Sequence, residues 1–265
     1  MRPLSEFGAA EAKRVRAVLT DIDDTVSSEG KLTAAAYGAL EKLSAAGLAV
    51  IPITGRPAGW CDMIARFWPV AAVVGENGAF WFSYDHRQRR MKRWYFASDA
   101  ERAANARKLD AIRDEALVKV PGCAVSADQA YRVADLAIDF REDVAPLPDE
   151  AIKKIVAVFT AHGAEAKISS IHVNGWFGKY DKLTTTLKLL QEEFGMSADD
   201  ARAGVVFSGD SPNDEPMFKY FPLSVGVANV NDIAHLIATK PSFITAKRSG
   251  EGFVELSERL LALRA

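Results

Sequence analysis

The chain has 265 residues, enough for one large domain or two modest ones. Its 49 % hydrophobic and 26 % charged content is ordinary globular composition, and a formal net charge of -2 argues against a nucleic-acid binder. Cys61 and Cys123 are the only two cysteines, and no ligand spacing surrounds either, so neither a disulfide framework nor a cysteine metal site is expected.

Residues 1–14 are mixed and charged, without the apolar stretch of a signal peptide, and read as a loose extension. No segment approaches the apolar length of a membrane span. A cytoplasmic protein with reduced thiols is the expectation, with no membrane and no obligate protein partner.

Ala17–Thr20 reads as a buried strand and runs into Asp21-Ile22-Asp23-Asp24-Thr25. A helix from Thr33 to Gly47 follows, with Tyr37, Leu40 and Leu43 at helical spacing. Leu48–Ile53 is the second apolar run, ending in Thr54-Gly55-Arg56-Pro57. Pro57 suits the first turn of a helix that reaches about Trp68. A third strand, Val70–Val74, leads to Gly75-Glu76-Asn77-Gly78-Ala79. This order implies a parallel sheet with right-handed crossovers.

The pattern then changes. Ala79–Tyr84 and Arg93–Ala97 read as a hairpin with a solvated basic turn at 86–90. Helices over Ser98–Val120 and Pro148–His162 alternate with strands over Tyr131–Phe140, Ala166–Ile168 and Ile171–Val173. Residues 85–178 therefore read as an inserted α+β cap domain. After Lys179-Tyr180-Asp181 the α/β rhythm returns, with a helix over Lys182–Phe194 capped by Gly195. Strands follow at Val205–Ser208, Leu223–Val227 and Ser242–Ile244, the first leading into Gly209-Asp210-Ser211-Pro212-Asn213-Asp214. The expected fold is an α/β, Rossmann-like three-layer core of residues 1–84 and 179–265, with the cap between its halves.

Strands of a parallel sheet deliver ligand-binding groups at their carboxyl ends. Asp21 and Asp23, two apart, face one side of extended chain, so one can attack phosphorus and the other can move protons. Asp210, from another strand, can hold a hard cation, for which Mg²⁺ is the natural choice. Thr54 offers a hydroxyl, Gly55 a backbone N–H at a helix start, and Lys182 a point charge.

These motifs, in this order, resemble the haloacid dehalogenase (HAD) superfamily, in its Cof-like IIB branch with a C2-type cap. Asp21, Asp23 and Thr25 match its Asp-x-Asp-x-Thr motif. Thr54 matches the second motif and Lys182 the third, while Gly209, Asp210, Asn213 and Asp214 match Gly-Asp-x-x-Asn-Asp. The match runs from residue 17 to 255. Two positions depart from it: Asp24 stands where Gly is usual, and Leu183 where Gly often follows the lysine.

The resemblance implies a Mg²⁺-dependent phosphomonoester hydrolase acting on a small phosphorylated metabolite, such as a sugar phosphate, through an aspartyl-phosphate. It makes Asp21 the nucleophile and Asp23 the acid/base. Asp21, the Asp23 carbonyl, Asp210 and Asp214 would hold the metal; Thr54, Gly55, Lys182 and Asn213 the phosphoryl group. Arg56, Glu76, His172, Trp176 and Lys179 are the expected cap-side substrate contacts, Lys179 being also a second candidate for the motif-three role. Two rival readings share these residues: a phosphomutase that excludes water, and a phosphate-ligand sensor without turnover.

Overall fold

A computed structural model describes residues 1–265. The chain begins with an edge strand, β1 (Arg2–Pro3), and helix α1 (Ala9–Arg14). Strand β2 (Ala17–Thr20), helix α2 (Ala34–Ala45), strand β3 (Ala49–Pro52), helix α3 (Ala58–Phe67) and strand β4 (Val73–Gly75) follow. A hairpin comprises β5 (Phe80–Asp85) and β6 (Arg90–Tyr95). Next come α4 (Asp99–Lys119), β7 (Ala124–Val125), β8 (Asp135–Asp139), α5 (Asp149–Ala161), β9 (Glu165–Ile168) and β10 (His172–Trp176). The last part holds α6 (Lys182–Phe194), α7 (Ala198–Gly204), β11 (Val205–Gly209), α8 (Glu215–Tyr220), β12 (Leu223–Gly226), β13 (Phe243–Ile244) and α9 (Ser249–Arg264).

The central sheet has the order β1-β13-β12-β11-β2-β3, with every pair parallel. A single parallel bridge, Ile53 to Val74, extends it towards β4. Alternate residues of each strand enter different cores. Val18, Val50, Val206 and Val225 pack with residues of α2 and α9, while Leu19, Ile51 and Phe207 pack with residues of α6 and α8. Helices thus cover both faces, which is why these strands read as unbroken apolar runs. β2 is flanked by β3 on one side and β11 on the other, the switch point at which such sheets leave a crevice.

The cap is a four-stranded antiparallel sheet, β7-β8-β10-β9. One face packs on α4 and α5 through Leu136, Ile138 and Val173. The strand period turns Asp135, Asp139, His172, Asn174 and Trp176 to the other face, towards the core. Helix α4 opens with a capping box between Ser98 and Glu101.

Three features differ from expectation. Residues 1–14 are docked rather than loose. Arg2 pairs with Phe243, Leu4, Phe7 and Ala12 are buried in the core, and Arg259 donates to the Phe7 carbonyl. The strand expected over Tyr131–Phe140 starts only at Asp135. Its first part is a 3-10 turn, Gln129–Tyr131, and the N–H groups of Val133, Ala134 and Asp135 donate to the Glu76 carboxylate instead of to a neighbouring strand. Finally, residue 85 falls at the end of β5, while β6 pairs with β5 from Phe80–Tyr95 to Asp85–Arg90. Trp81 packs with Leu189 and Leu190 of α6, so the hairpin lies against the core.

Candidate active site

Asp21 follows β2 directly, and its N–H donates to the Ser208 carbonyl of β11 at 2.9 Å. The chain then turns tightly, with the Ile22 carbonyl accepting from the N–H groups of Val26 and Ser27, both at 2.9 Å. Asp24 has φ 55°, a left-handed conformation that glycine adopts freely and aspartate tolerates. That explains both the Gly usual at this position and the departure from it.

Asp210 follows β11, the neighbouring strand. One oxygen accepts from the Thr25 hydroxyl at 2.9 Å, the other from the Asn229 amide at 3.0 Å. Lys182 is the first residue of α6 and only 2 % exposed. Its ammonium donates to Asp21 at 2.8 Å and to Asp214 at 2.7 Å. Lys179 is exposed, three residues beyond the end of β10, and makes no ion pair. Lys182, not Lys179, is the lysine that faces the acidic cluster.

Carboxylate oxygens of Asp21, Asp210 and Asp214 lie within 4.8 Å of one another. Of these three buried carboxylates, two pair with the Lys182 ammonium and Asp210 has no cationic partner. Burial pushes the Asp21 carboxyl up to about 8, against the pull of Lys182 and helped by Asp214 and Asp23. Burial with Asp21 and Asp214 nearby likewise pushes Asp210 well up. Asp214 is the least available of the three: one oxygen takes Lys182, and the other accepts the N–H groups of Asp210 at 3.0 Å and Ser211 at 3.2 Å. Its observed work is to hold the lysine and the turn. Asp21 and Asp210 are the oxygens left for a hard cation, and the negative excess fits one.

Asp21 and Asp23 line one small cavity with Gly55, His172, Asn174 and Asn213. Its volume is about 10 Å³, room for about one water, and the cap residues Ile171, His172 and Asn174 lie over Asp21 and Asp23. A larger cleft of about 250 Å³ opens beside it, between core residues Asp24 and Asp210 and cap residues Arg141 and Ser170. The Thr54 hydroxyl oxygen accepts the Arg56 N–H at 3.0 Å.

Asn77 was not singled out as a site residue by the sequence. It is buried, in the left-handed region at φ 54°, and accepts from Asn213 at 3.2 Å. Its own amide nitrogen has no partner and lies beside Gly55. A buried donor without an acceptor is costly, so Asn77 stands ready for a ligand oxygen. Gly78, next along, has φ 108°, and a Cβ there would lie 2.2 Å from the Asp181 carbonyl oxygen. The glycine thereby lets the step into the hairpin pass against the start of α6.

The expected cap-side contacts divide. His172 and Asn174 line the cavity; Asn174, missed in the sequence, donates to Asp135 at 3.0 Å. Glu76 does not face the cavity. It is a fully buried strut, accepting from the N–H of Ala58 at 3.0 Å on the core side and of Ala134 at 2.7 Å on the cap side. Arg56 also lines the cavity, and its guanidinium is engaged by carboxylates, including the cap's Glu142 and Asp128. Neither cap acid carried a motif.

Trp176 points past the cavity. It is 1 % exposed, stacked on Tyr180 at 5.4 Å, and packed among Ile22, Phe80 and Phe82. Trp176→Ala should cost about 3–5 kcal/mol of stability while relative kcat/KM among phosphate esters stays constant. Chemical melts and a substrate panel check this. Altered selectivity at full stability would return Trp176 to the substrate.

Burial opposes the ionised form of Glu142, but His172 and Arg56 outweigh it and hold the carboxyl at about 2, below its ordinary 4.5. A depressed acid stabilises the fold above its unfolded value and loses that contribution as pH falls to its folded one. Acidification from pH 4.5 towards 2 is therefore expected to loosen the cap–core contact. Hydrogen exchange at residues 140–143 and 169–172 reads it; protection unchanged across that window would remove Glu142 from the contact.

No protein-family model and no curated protein matches the sequence. Solved structures do match in fold. A HAD/Cof-like hydrolase from Plasmodium vivax has a TM-score of 0.67 at 16 % identity, covering 96 % of this chain and 98 % of that one. A HAD subclass IIB sugar phosphatase has a TM-score of 0.61 at 14 % identity, covering 94 % and 100 %. The sucrose-phosphatase of Synechocystis, solved with sucrose and phosphate, has a TM-score of 0.62 at 13 % identity, covering 94 % and 98 %. The fold is that of the Cof-like HAD hydrolases and subclass IIB sugar phosphatases, a Rossmann-like core with an inserted cap.

Proposed function

We propose that the protein is a phosphomonoester hydrolase of the HAD type, acting on a small phosphorylated metabolite through an aspartyl-phosphate on Asp21. The carrying observation is that Asp21 and Asp23, just after the strand at the switch point, line one small cavity between core and cap while Lys182 holds Asp21 at 2.8 Å. Sugar phosphates are the proposed substrates. Support comes from the polar, cap-covered cleft and from the sugar phosphatase and sucrose-phosphatase that share the fold. We place the cap between about residues 97 and 178, because the hairpin packs with the core. No helix is long and apolar enough to cross a membrane, and a cytoplasmic location belongs to the same proposal.

In this reading the Asp21 carboxylate attacks phosphorus. Asp23 gives its proton to the leaving oxygen, and the alcohol departs. Asp23 then takes a proton from the water that attacks the aspartyl-phosphate, which releases phosphate and restores Asp21. Lys182, Thr54, Gly55, Asn213 and Asn77 are the donors proposed for the phosphoryl oxygens. Asp21, Asp210 and the Asp23 carbonyl would hold Mg²⁺, with Asp214 behind them; bound there, the ion would supply positive charge between carboxylate and phosphate.

Hydrolysis of p-nitrophenyl phosphate and of a panel of sugar phosphates tests the class, and inertness towards all of them would defeat it. Asp23→Asn sharpens the test. An alkyl phosphate has a basic leaving oxygen and needs the acid, so its turnover should fall about 10²–10⁴-fold. Nitrophenolate leaves unaided, so the first step on that ester should survive better. Water still lacks its base. A burst of nitrophenolate and phosphate trapped on Asp21, seen by intact mass in acid, are expected. Equal losses on both esters with nothing trapped would deny Asp23 its two roles.

A further inference from the structure

The charged contacts between core and cap converge on Arg56, which is 4 % exposed. Its Nε donates to both Asp23 oxygens at 3.0 Å. One terminal nitrogen donates to Asp23 at 2.8 Å and to Glu142 at 2.6 Å; the other reaches Glu142 at 3.3 Å and Asp128 at 3.4 Å. The guanidinium lies 4.4 Å from the Trp60 ring. Every nitrogen is engaged, so nothing is left for a substrate phosphate.

The cap acids are built to receive it. Asp139 accepts the N–H groups of Arg141, Glu142 and Asp143, each at 2.8 Å, and so shapes the loop that carries Glu142. His172 Nε2 lies 2.9 Å from the same Glu142 carboxylate. Asp128 accepts the Ser126 hydroxyl at 2.6 Å and Arg132 at 2.8 Å, and Arg132 also donates to the Gly55 carbonyl at 2.9 Å. These contacts lie within the cap, apart from the last. Only Arg56 joins them to the proton-transfer carboxylate.

We propose that Glu142, assisted by Asp128, is a positioning residue: closure of the cap seats Arg56 between the two cap acids, and the seated Arg56 orients Asp23. This rests on the phosphatase reading for the role of Asp23, though not for the geometry. A long arginine held by one carboxylate alone samples many rotamers, whereas a forked arginine gripped on three sides does not. Misplacement of a reacting group by about 1 Å can cost about 10²-fold in rate. The cap thus completes the site when shut and leaves Asp23 loosely oriented when open.

The test follows the Arg56 Nε–H in ¹⁵N-labelled protein, its signal assigned by disappearance in Arg56→Lys. Glu142→Gln keeps the side-chain volume and removes the charge. The Nε–H of this variant should exchange at least about tenfold faster than in the wild type, with an unchanged circular dichroism spectrum. Its kcat for an alkyl phosphate should fall about tenfold with KM within about twofold, the loss on p-nitrophenyl phosphate should be smaller, and Glu142→Asp should recover part of it. Unchanged Nε–H exchange in a folded Glu142→Gln protein overturns the proposal, as does an equal loss on both esters. If Glu142→Gln does not fold, Asp128→Asn is read by the same two criteria. A wild-type protein inert towards every phosphate ester would instead overturn the proposed function, and the exchange measurement would still decide whether the cap acids hold Arg56.

Discussion

Asp21→Asn is expected to lower turnover by at least about 10³-fold, because a carboxamide is a poor nucleophile and nothing else in the cavity can take its place. Asp23 is tied to Arg56, and Asp210 does not line that cavity. Folding should survive. The amide oxygen can still accept from Lys182, and the change removes one of the two carboxylates, Asp21 and Asp210, that burial and nearby acids push above their ordinary values. A carboxyl raised in the fold opposes folding once pH passes its unfolded value near 3.8, so the variant should melt no lower than the wild type at pH 7. Phosphate release and thermal melts, with intact mass to exclude deamidation, check both halves. A variant retaining a tenth of wild-type turnover would move the nucleophile elsewhere.

Removal of divalent metal should be nearly as severe. Of Asp21, Asp210 and Asp214, only the first and last pair with a cation, Lys182, and a phosphate dianion adds two further charges. One unscreened pair of unit charges 4 Å apart near a protein surface costs about 4 kcal/mol, close to 10³-fold in rate. Activity should vanish with EDTA and return with Mg²⁺. Ca²⁺ should restore it poorly, because its looser coordination spoils an in-line geometry. Binding also has a readout without turnover: at 100 times its dissociation constant the ion should add about 2.7 kcal/mol of stability. That gain should disappear in Asp210→Asn. Full activity in chelator, or a melting point indifferent to Mg²⁺, would remove the metal from the site.

What the amino-acid order determined by itself was local. Apolar runs followed by acids marked β2 and β11, because a strand covered on both faces has no polar alternation to obscure it. Thr54, Lys182 and Asp210 could be placed because each stands at the end of a strand or the start of a helix. Gly195 marked the end of α6 within the sequence itself, and it takes φ 60° there, while Asp181 proved to be the N-cap. The tertiary structure decided what depends on distant partners. Arg56 sits next to the phosphate loop and reads as a substrate contact, yet its acids lie 72 and 86 residues away in the cap. Glu76 looks like a site carboxylate until the N–H groups of residues 133–135 reach it across the domain junction. His172, Asn174 and Trp176 share one strand face, but only the seating of the cap sends two into the cavity and the third onto Tyr180. The N-terminal residues form too short a strand to show any period, and only β13 beside them gives Arg2 and Pro3 a partner. A buried charge is tolerated where its counter-charge is, and the fold, not chain proximity, brings that counter-charge to it.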